Sequence, residues 1–304
     1  MKNKSYLLCA VALFVSAACF GEPANISIGT FNIKCAQTPE ANNWAQRSDS
    51  VKRLVRFHDF DVIGTQEGWL HQLDDIKGDD NIYEYVADPR EDGEQKGETC
   101  AIFYKPSKYD LLLNGRFWLS ETPTKPSLGW DARHKRICTW VKLRDKASKK
   151  VFFVFNVHLD NVGARARANS ARLLFEKIKS TAGKDPFFLV GDFNSPPSSE
   201  AILYLTTKGF IDAKNASKTP PYGPRETWHN YTCAPVEKQP DRIDCILVSP
   251  GIEIERYGVL TDRLCDLIKD DSIFGANANS KGARWSNIRT PSDHYPVLVR
   301  ATVK

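Results

Sequence analysis

The run Val151-Phe152-Phe153-Val154-Phe155-Asn156-Val157-His158 constrains this chain more than any other stretch. It is nearly continuous in apolar residues, as a strand is when both of its faces are buried. A sheet built on such a strand needs cover on both sides. A second apolar run, Phe187 to Val190, reads as another buried strand, and Gly191, Pro196 and Pro197 stop it abruptly. At its end Asp192 and Asn194 stand two residues apart, so in an extended chain they point to the same side. A lone Asp-x-Asn is more often an Asx turn than a site. The weight comes from how many other strands in this chain end in polar residues.

The rest of the chain alternates between helix and strand patterns. Asn25–Ile33 and Phe60–Thr65 read as strands, with an amphipathic helix from Trp44 to His58 between them and a short helix carrying Leu70, Leu73 and Ile76 after them. Further strands are expected at Tyr83–Ala87, Ala101–Tyr104, Leu111–Phe117, Ile137–Leu143, Ile243–Val248, Glu253–Leu260 and Pro296–Val303, and helices at Val162–Thr181 and Ser199–Thr207. The acidic segment Glu91–Glu98 reads as a solvated loop, and 214–240 and 261–290 as loop excursions. No repeat or linker divides the chain, so residues 22–304 form one domain.

Residues 1–21 stand apart. Lys2 and Lys4 precede a largely apolar run from Tyr6 to Phe20, the pattern of a secretory signal too short for a good membrane span. Export is expected, to a periplasmic, extracellular or envelope-anchored location. Membrane contact follows only if Cys19 is lipidated. Six cysteines remain beyond the leader, an even number that permits disulfides in an exported protein. Cys138 and Cys245 nevertheless sit in apolar runs, where a thiol serves as a small hydrophobe. The formal net charge of +5 drops by two when Lys2 and Lys4 are set aside, which is too weak for a surface dedicated to nucleic acid.

The polar residues at strand edges are Asn32, Glu67, His158, Asp192, Asn194, Asp244, Asp293 and His294. Each alone has a plain structural explanation as a turn, a cap or a satisfied core histidine. Together they supply oxygen donors and two imidazoles without cysteine, the set that suits Mg²⁺ or Mn²⁺ with water and phosphate completing the shell. Charged histidines would bind phosphate oxygens, and a partner carboxylate would favour that charge.

The order Thr30-Phe31-Asn32-Ile33, Gln66-Glu67, Asn156-Val157-His158-Leu159-Asp160, Gly191-Asp192-Phe193-Asn194, Arg242-Ile243-Asp244 and Ser292-Asp293-His294-Tyr295-Pro296 resembles the endonuclease/exonuclease/phosphatase (DNase I-like) family over residues 26–303. Phe117–Pro123, Gly129-Trp130-Asp131-Ala132 and Arg136 further resemble a bacterial branch nearer the deadenylase-like members. The resemblance implies an α/β fold of the α+β type, a four-layer sandwich of two mixed β-sheets flanked by helices. It implies a Mg (or Mn)-dependent hydrolase of phosphate esters, with Glu67 the main metal ligand and Asn32 and Asp293 near the metal. Asp192, helped by Asn194, would orient or deprotonate the attacking water. His294, paired with Asp244, and His158 would hold the phosphate, and Arg136 and Asp160 would serve the substrate side.

The substrate expected is a small, lipid-linked or single-stranded nucleic-acid phosphoester, with a DNA or RNA endonuclease of the DNase I type as the alternative. Trp118, Trp130, Trp228, Tyr222 and Tyr231 are candidates to line its pocket. An exported glycosidase with paired carboxylates would need neither histidine nor metal. A silent binding module would need a broken site, and these positions are chemically competent. No stable protein partner is implied, and a monomer is expected.

Overall fold

Alternate residues of the Val151–His158 strand enter different cores. Phe152 and Val154 join one buried cluster, and Phe153, Phe155 and Val157 join another. The computed structural model describes residues 22–37, 42–231, 242–265 and 288–304. The leader with Cys19, and Cys233, lie outside them, as does most of the 261–290 excursion.

The elements run β1 (Ala24–Asn32), α1 (Trp44–Phe57), β2 (Val62–Gln66), α2 (Leu70–Lys77), β3 (Glu84–Val86), β4 (Cys100–Tyr104), β5 (Tyr109–Trp118), β6 (Ile137–Asp145), β7 (Val151–His158), α3 (Ala164–Ala182) and β8 (Phe187–Asp192). They continue with α4 (Glu200–Thr207), β9 (Ile211–Asp212), α5 (Ala213–Ala216), β10 (Asp244–Val248), β11 (Ile252–Val259), β12 (Leu264–Cys265), β13 (Ile288–Arg289) and β14 (Val297–Val303). One six-stranded sheet has the order β11-β14-β1-β2-β4-β3, and the other β5-β6-β7-β8-β10-β9. Both are mixed. Each has one parallel pair at its centre, β1–β2 and β7–β8.

A parallel pair needs a crossover, and α1 and α3 supply the two. Their apolar stripes cover the outer faces. Val51, Leu54 and Val55 of α1 pack with Phe31, Ile63 and Phe103, while Ala171, Leu174 and Ile178 of α3 pack with Phe153, Phe155 and Leu189. Between the sheets lies a third cluster with Ile28, Val62, Val154, Val190, Ile246 and Val299. The result is the expected four-layer sandwich.

The sheets approach closely where β2 crosses β7 and β8. A Cβ on Gly64 would lie 2.6 Å from Val190 Cγ2 and 2.8 Å from Asn156 Cγ, so the position requires glycine. Asn156 is fully buried there. Its Nδ2 donates to the carbonyls of Thr65 and Ala101 at 2.8 Å each, and its Oδ1 accepts from Gln66 Nε2 at 2.7 Å. This amide fastens one sheet to the other just beneath the strand ends.

Cys35, Cys100, Cys138 and Cys245 are free thiols, so among the described residues the hydrophobe reading of Cys138 and Cys245 holds. No helix among the described residues is long and apolar enough to cross a membrane. The Glu91–Glu98 segment is a loop with Glu94, Gln95 and Lys96 exposed, as expected, but it is also internally braced. Pro89 bridges Thr99, Arg90 N donates to Glu98 O at 2.9 Å, and Asp92 Oδ1 accepts from the N–H groups of Glu94, Gln95 and Lys96. Its charges are spent on building a rigid hairpin-like turn.

Candidate active site

Two parallel pairs in facing sheets bring four strand ends together. Residues Asn32 and Gln66 are paired in β1–β2, and His158 and Asp192 in β7–β8. Asp192 is also paired with Asp244 across β8–β10. Asp293 and His294 come from the turn before β14. That turn is tied down from several sides. Ser292 Oγ donates to Asn32 O at 2.6 Å, and buried Arg47 of α1 donates to the carbonyls of both Ile33 and Pro291 at 2.8 Å. His294 pairs in turn with Trp228 in an isolated β-bridge.

Glu67 follows β2 with φ of +65°, a left-handed backbone uncommon outside glycine and often found at functional sites. Asn32 Nδ2 donates to Glu67 Oε1 at 2.9 Å and to Asp192 Oδ2 at 3.0 Å. It therefore joins the two carboxylates from the two sheets. The Lys34 ammonium lies 3.2 Å from Asp293 Oδ2 and 3.7 Å from Glu67 Oε2. Burial alone would lower its pKa, but these two carboxylates outweigh it and raise the pKa. Asp293 is held down reciprocally, with His294 and Lys34 overcoming the effect of burial.

Asp192 Oδ1 accepts the backbone N–H of Asn194 at 2.8 Å, and Asn194 has φ of +45°. The Asx turn is thus present, and the same two residues line the cavity described below. Asn194 Nδ2 donates to Leu159 O, which fixes its side chain at the cavity wall. Burial and the neighbouring Asp244 push the Asp192 carboxyl up to about 7.

His294 Nδ1 lies 2.9 Å from Asp244 Oδ2, and both are buried. Burial would favour the neutral ring, but the Asp244 charge and hydrogen bond prevail and raise its pKa to about 10. His294 Nε2 then faces Asp192 Oδ2 at 3.8 Å, and His158 Nε2 approaches the same oxygen at 3.5 Å. For His158 the balance of burial and charge runs the other way. Burial, followed by Arg136 and Arg90, lowers its pKa well below the ordinary value. It is a neutral donor or acceptor.

These groups line a cavity of about 500 Å³ with Lys34, Cys35, Arg90, Glu98, His134, Arg136, Asn161, Trp228 and Asn230 among its walls. Asn32 and Asp244 stand behind Glu67 and His294 as supports. Of the five aromatic candidates, Trp228 alone lines it. Trp118 is buried with Nε1 donating to Arg90 O.

Arg136 lines the cavity as expected, held by Asp160 Oδ2 at 3.4 Å and Asn161 Oδ1 at 3.2 Å, and its buried Nη1 has no protein partner. Asp160 does not line it. That carboxylate accepts four backbone N–H groups, from Arg133, His134, Val162 and Gly163, as well as Arg136. It sets the guanidinium rather than touching substrate. Arg90, Glu98 and His134 were missed from the sequence. Their only cue was high charge density, which reads as solvation.

Glu67 and Asp293 present hard oxygen donors of the kind that suits Mg²⁺ or Mn²⁺, with the Asn32 amide supporting Glu67, and these two carboxylates drawn around one ammonium indicate a locus for positive charge. Asp192, Asp244 and His294 also bring ligand atoms within 4.8 Å of one another. A ring kept protonated by Asp244 has no lone pair for a metal, so Asp244 and His294 form a hydrogen-bonded relay that faces Asp192 across 3.8 Å.

The model for the endonuclease/exonuclease/phosphatase family matches residues 29–294. A mannosyl-6-phosphatase of Bacteroides thetaiotaomicron has 36% identity and a TM-score of 0.81, with 91% of this chain and 99% of that one covered. An uncharacterized protein of Acanthamoeba polyphaga mimivirus is 31% identical over 175 residues, covering 54% of this chain. Nocturnin of Drosophila melanogaster is 29% identical over 290 residues, covering 88% of this chain. The match spans 63% of the viral protein's length and 43% of Nocturnin's.

Proposed function

The chain belongs to the endonuclease/exonuclease/phosphatase family, whose members hydrolyse phosphate esters, and from that premise we propose that it is a divalent-metal-dependent phosphatase of small phosphomonoesters. The observation that carries this is the opposition, inside one walled cavity, of a protonated Asp244–His294 pair and the Asp192 carboxylate. A charged donor and a proton acceptor facing one space are what water attack on phosphorus requires.

Asp192 takes the proton from water. Its Oδ1 is fixed by the Asn194 N–H and its Oδ2 by Asn32, so the carboxylate cannot rotate away. Its raised pKa makes it a better base than an ordinary carboxylate near neutral pH. His294 donates a charged hydrogen bond to a phosphoryl oxygen as negative charge builds there. His158 and the unpartnered Nη1 of Arg136 take the remaining oxygens. A divalent cation held by Glu67 and Asp293, with Asn32 beside them, would polarise a phosphoryl oxygen and ease departure of the leaving oxygen.

The 36%-identical mannosyl-6-phosphatase and the scarcity of aromatic rings along the described cavity wall support a small monoester over a polynucleotide. A chain of nucleotides calls for an open groove with several stacking rings, and Trp228 is the one indole, phenol or phenyl ring on the described wall. Family membership leaves the glycosidase reading without support. The test compares p-nitrophenyl phosphate with bis-p-nitrophenyl phosphate, each with Mg²⁺ and with EDTA. Mg²⁺-dependent release from the monoester at a kcat/KM at least tenfold that of the diester is expected. A preference for the diester would replace phosphatase with phosphodiesterase.

A further inference from the structure

The 88–99 turn is built with more bonds than a connection between β3 and β4 needs. Trp118 Nε1 fastens Arg90 O at 2.8 Å, and Lys135 Nζ fastens Glu91 O at 2.9 Å. Arg116 pairs with Asp88, and Thr99 bonds Gly68 O through both its N–H and its hydroxyl, next to Glu67. What this scaffold presents to the cavity is one ion pair, Arg90 Nη1 to Glu98 Oε2 at 2.7 Å. Beside it, His134 and Asn161 complete a polar wall flanking Arg136. The Arg136 residue is only 4% exposed, and Asp160 and Asn161 fix its guanidinium between this wall and the phosphoryl centre.

We propose that Arg90, Glu98, His134 and Asn161 form a polyol-binding subsite, so that the phosphomonoester cleaved is that of a polyhydroxylated alcohol such as a hexose 6-phosphate. This rests on the phosphatase function proposed above. A carboxylate only accepts hydrogen bonds and a guanidinium only donates them, whereas a hydroxyl does both. A fixed carboxylate–guanidinium pair therefore matches two neighbouring hydroxyls, one donating to Glu98 and one accepting from Arg90. The one contact to Glu98 Oε2 leaves the second carboxylate oxygen for such a donor. A leaving group without hydroxyls would leave both half-buried charges with nothing in exchange for their water, and a site built for hydroxyls rejects such analogues strongly.

The experiment measures kcat/KM of the Mg²⁺-loaded wild type and of Glu98→Ala and Glu98→Gln on mannose 6-phosphate, glucose 6-phosphate and p-nitrophenyl phosphate. Phosphate release is the readout, and thermal melting checks the fold. The ratio of hexose phosphate to p-nitrophenyl phosphate should fall at least tenfold in Glu98→Ala, mainly through KM. If that variant does not fold, Glu98→Gln, which keeps the side chain's shape, should still lower the ratio at least threefold. Parallel losses on all three esters, or an unmoved ratio, overturn the subsite while leaving the phosphatase standing. A wild type that releases phosphate from none of them overturns the phosphatase itself.

Discussion

Replacing Asp244 by Asn tests the centre most directly, because it removes a charge and keeps the shape. The imidazole of His294 is carried from an ordinary 6.5 to about 10 against the opposing effect of burial. That difference corresponds to roughly 5 kcal/mol favouring the imidazolium, and Asp244 at 2.9 Å is its largest favourable source. With an amide there, burial governs, and the ring is neutral at pH 7.5. The same substitution removes the carboxylate that helps push Asp192 up, so the base weakens as the acid is lost. Losing one charged donor to the transition state costs about a hundred- to a thousandfold in kcat. The assay is kcat and its pH profile on p-nitrophenyl phosphate at saturating Mg²⁺, beside His294→Ala and the double variant. The alkaline limb, near pH 10 in the wild type, should move below neutrality in Asp244→Asn. The double variant should be slower than His294→Ala by no more than the weakening of Asp192 as a base, well short of the product of the two single losses. A single variant within fivefold of wild type, or a double variant whose losses multiply, would refute the relay.

Three further outcomes are expected. Chelation should abolish turnover and Mg²⁺ or Mn²⁺ restore it, with Glu67→Gln needing at least tenfold more metal for half-maximal rate; an unchanged requirement would move the metal away from Glu67. Glu98 has its carboxyl raised to about 7, by burial first with Arg90 opposing. Such a group lends stability below its unfolded pKa that is lost as pH rises through about 7, so from pH 5 to 8 the melting temperature of Glu98→Gln should gain on that of wild type, and a constant gap would contradict the shift. Gly64→Ala should cost about 1–3 kcal/mol in urea unfolding by overpacking Val190 and Asn156, and a neutral effect would mean the sheets can part there.

What the sequence disclosed, and what it withheld, divides along a physical line. β7 and β8 were legible because burial on both faces leaves an unbroken apolar run, and their ends were legible because the polar residue follows at once. Asn32, Glu67 and Asp192 could be gathered without knowing the distances, since parallel strands linked by a helix put their carboxyl ends on one side. His294 joins them because it precedes β14, which runs antiparallel to β1. The charge state of His158 could not be gathered so. It depends on Arg90 and Arg136, which approach it only in the folded chain and whose charges no local pattern reveals. Arg90 and Glu98 were hidden for the same reason from the other direction. Eight residues apart in a charged segment, they meet because the Pro89–Thr99 bridge folds the turn back on itself, and Asp92 satisfies three N–H groups that would otherwise face water. In the function proposed, the strand ends carry the phosphoryl chemistry, and the 88–99 turn carries the wall facing the alcohol. Strand termini are thus legible from an apolar run and the polar residue that follows it, whereas a loop that spends its charges on itself is not.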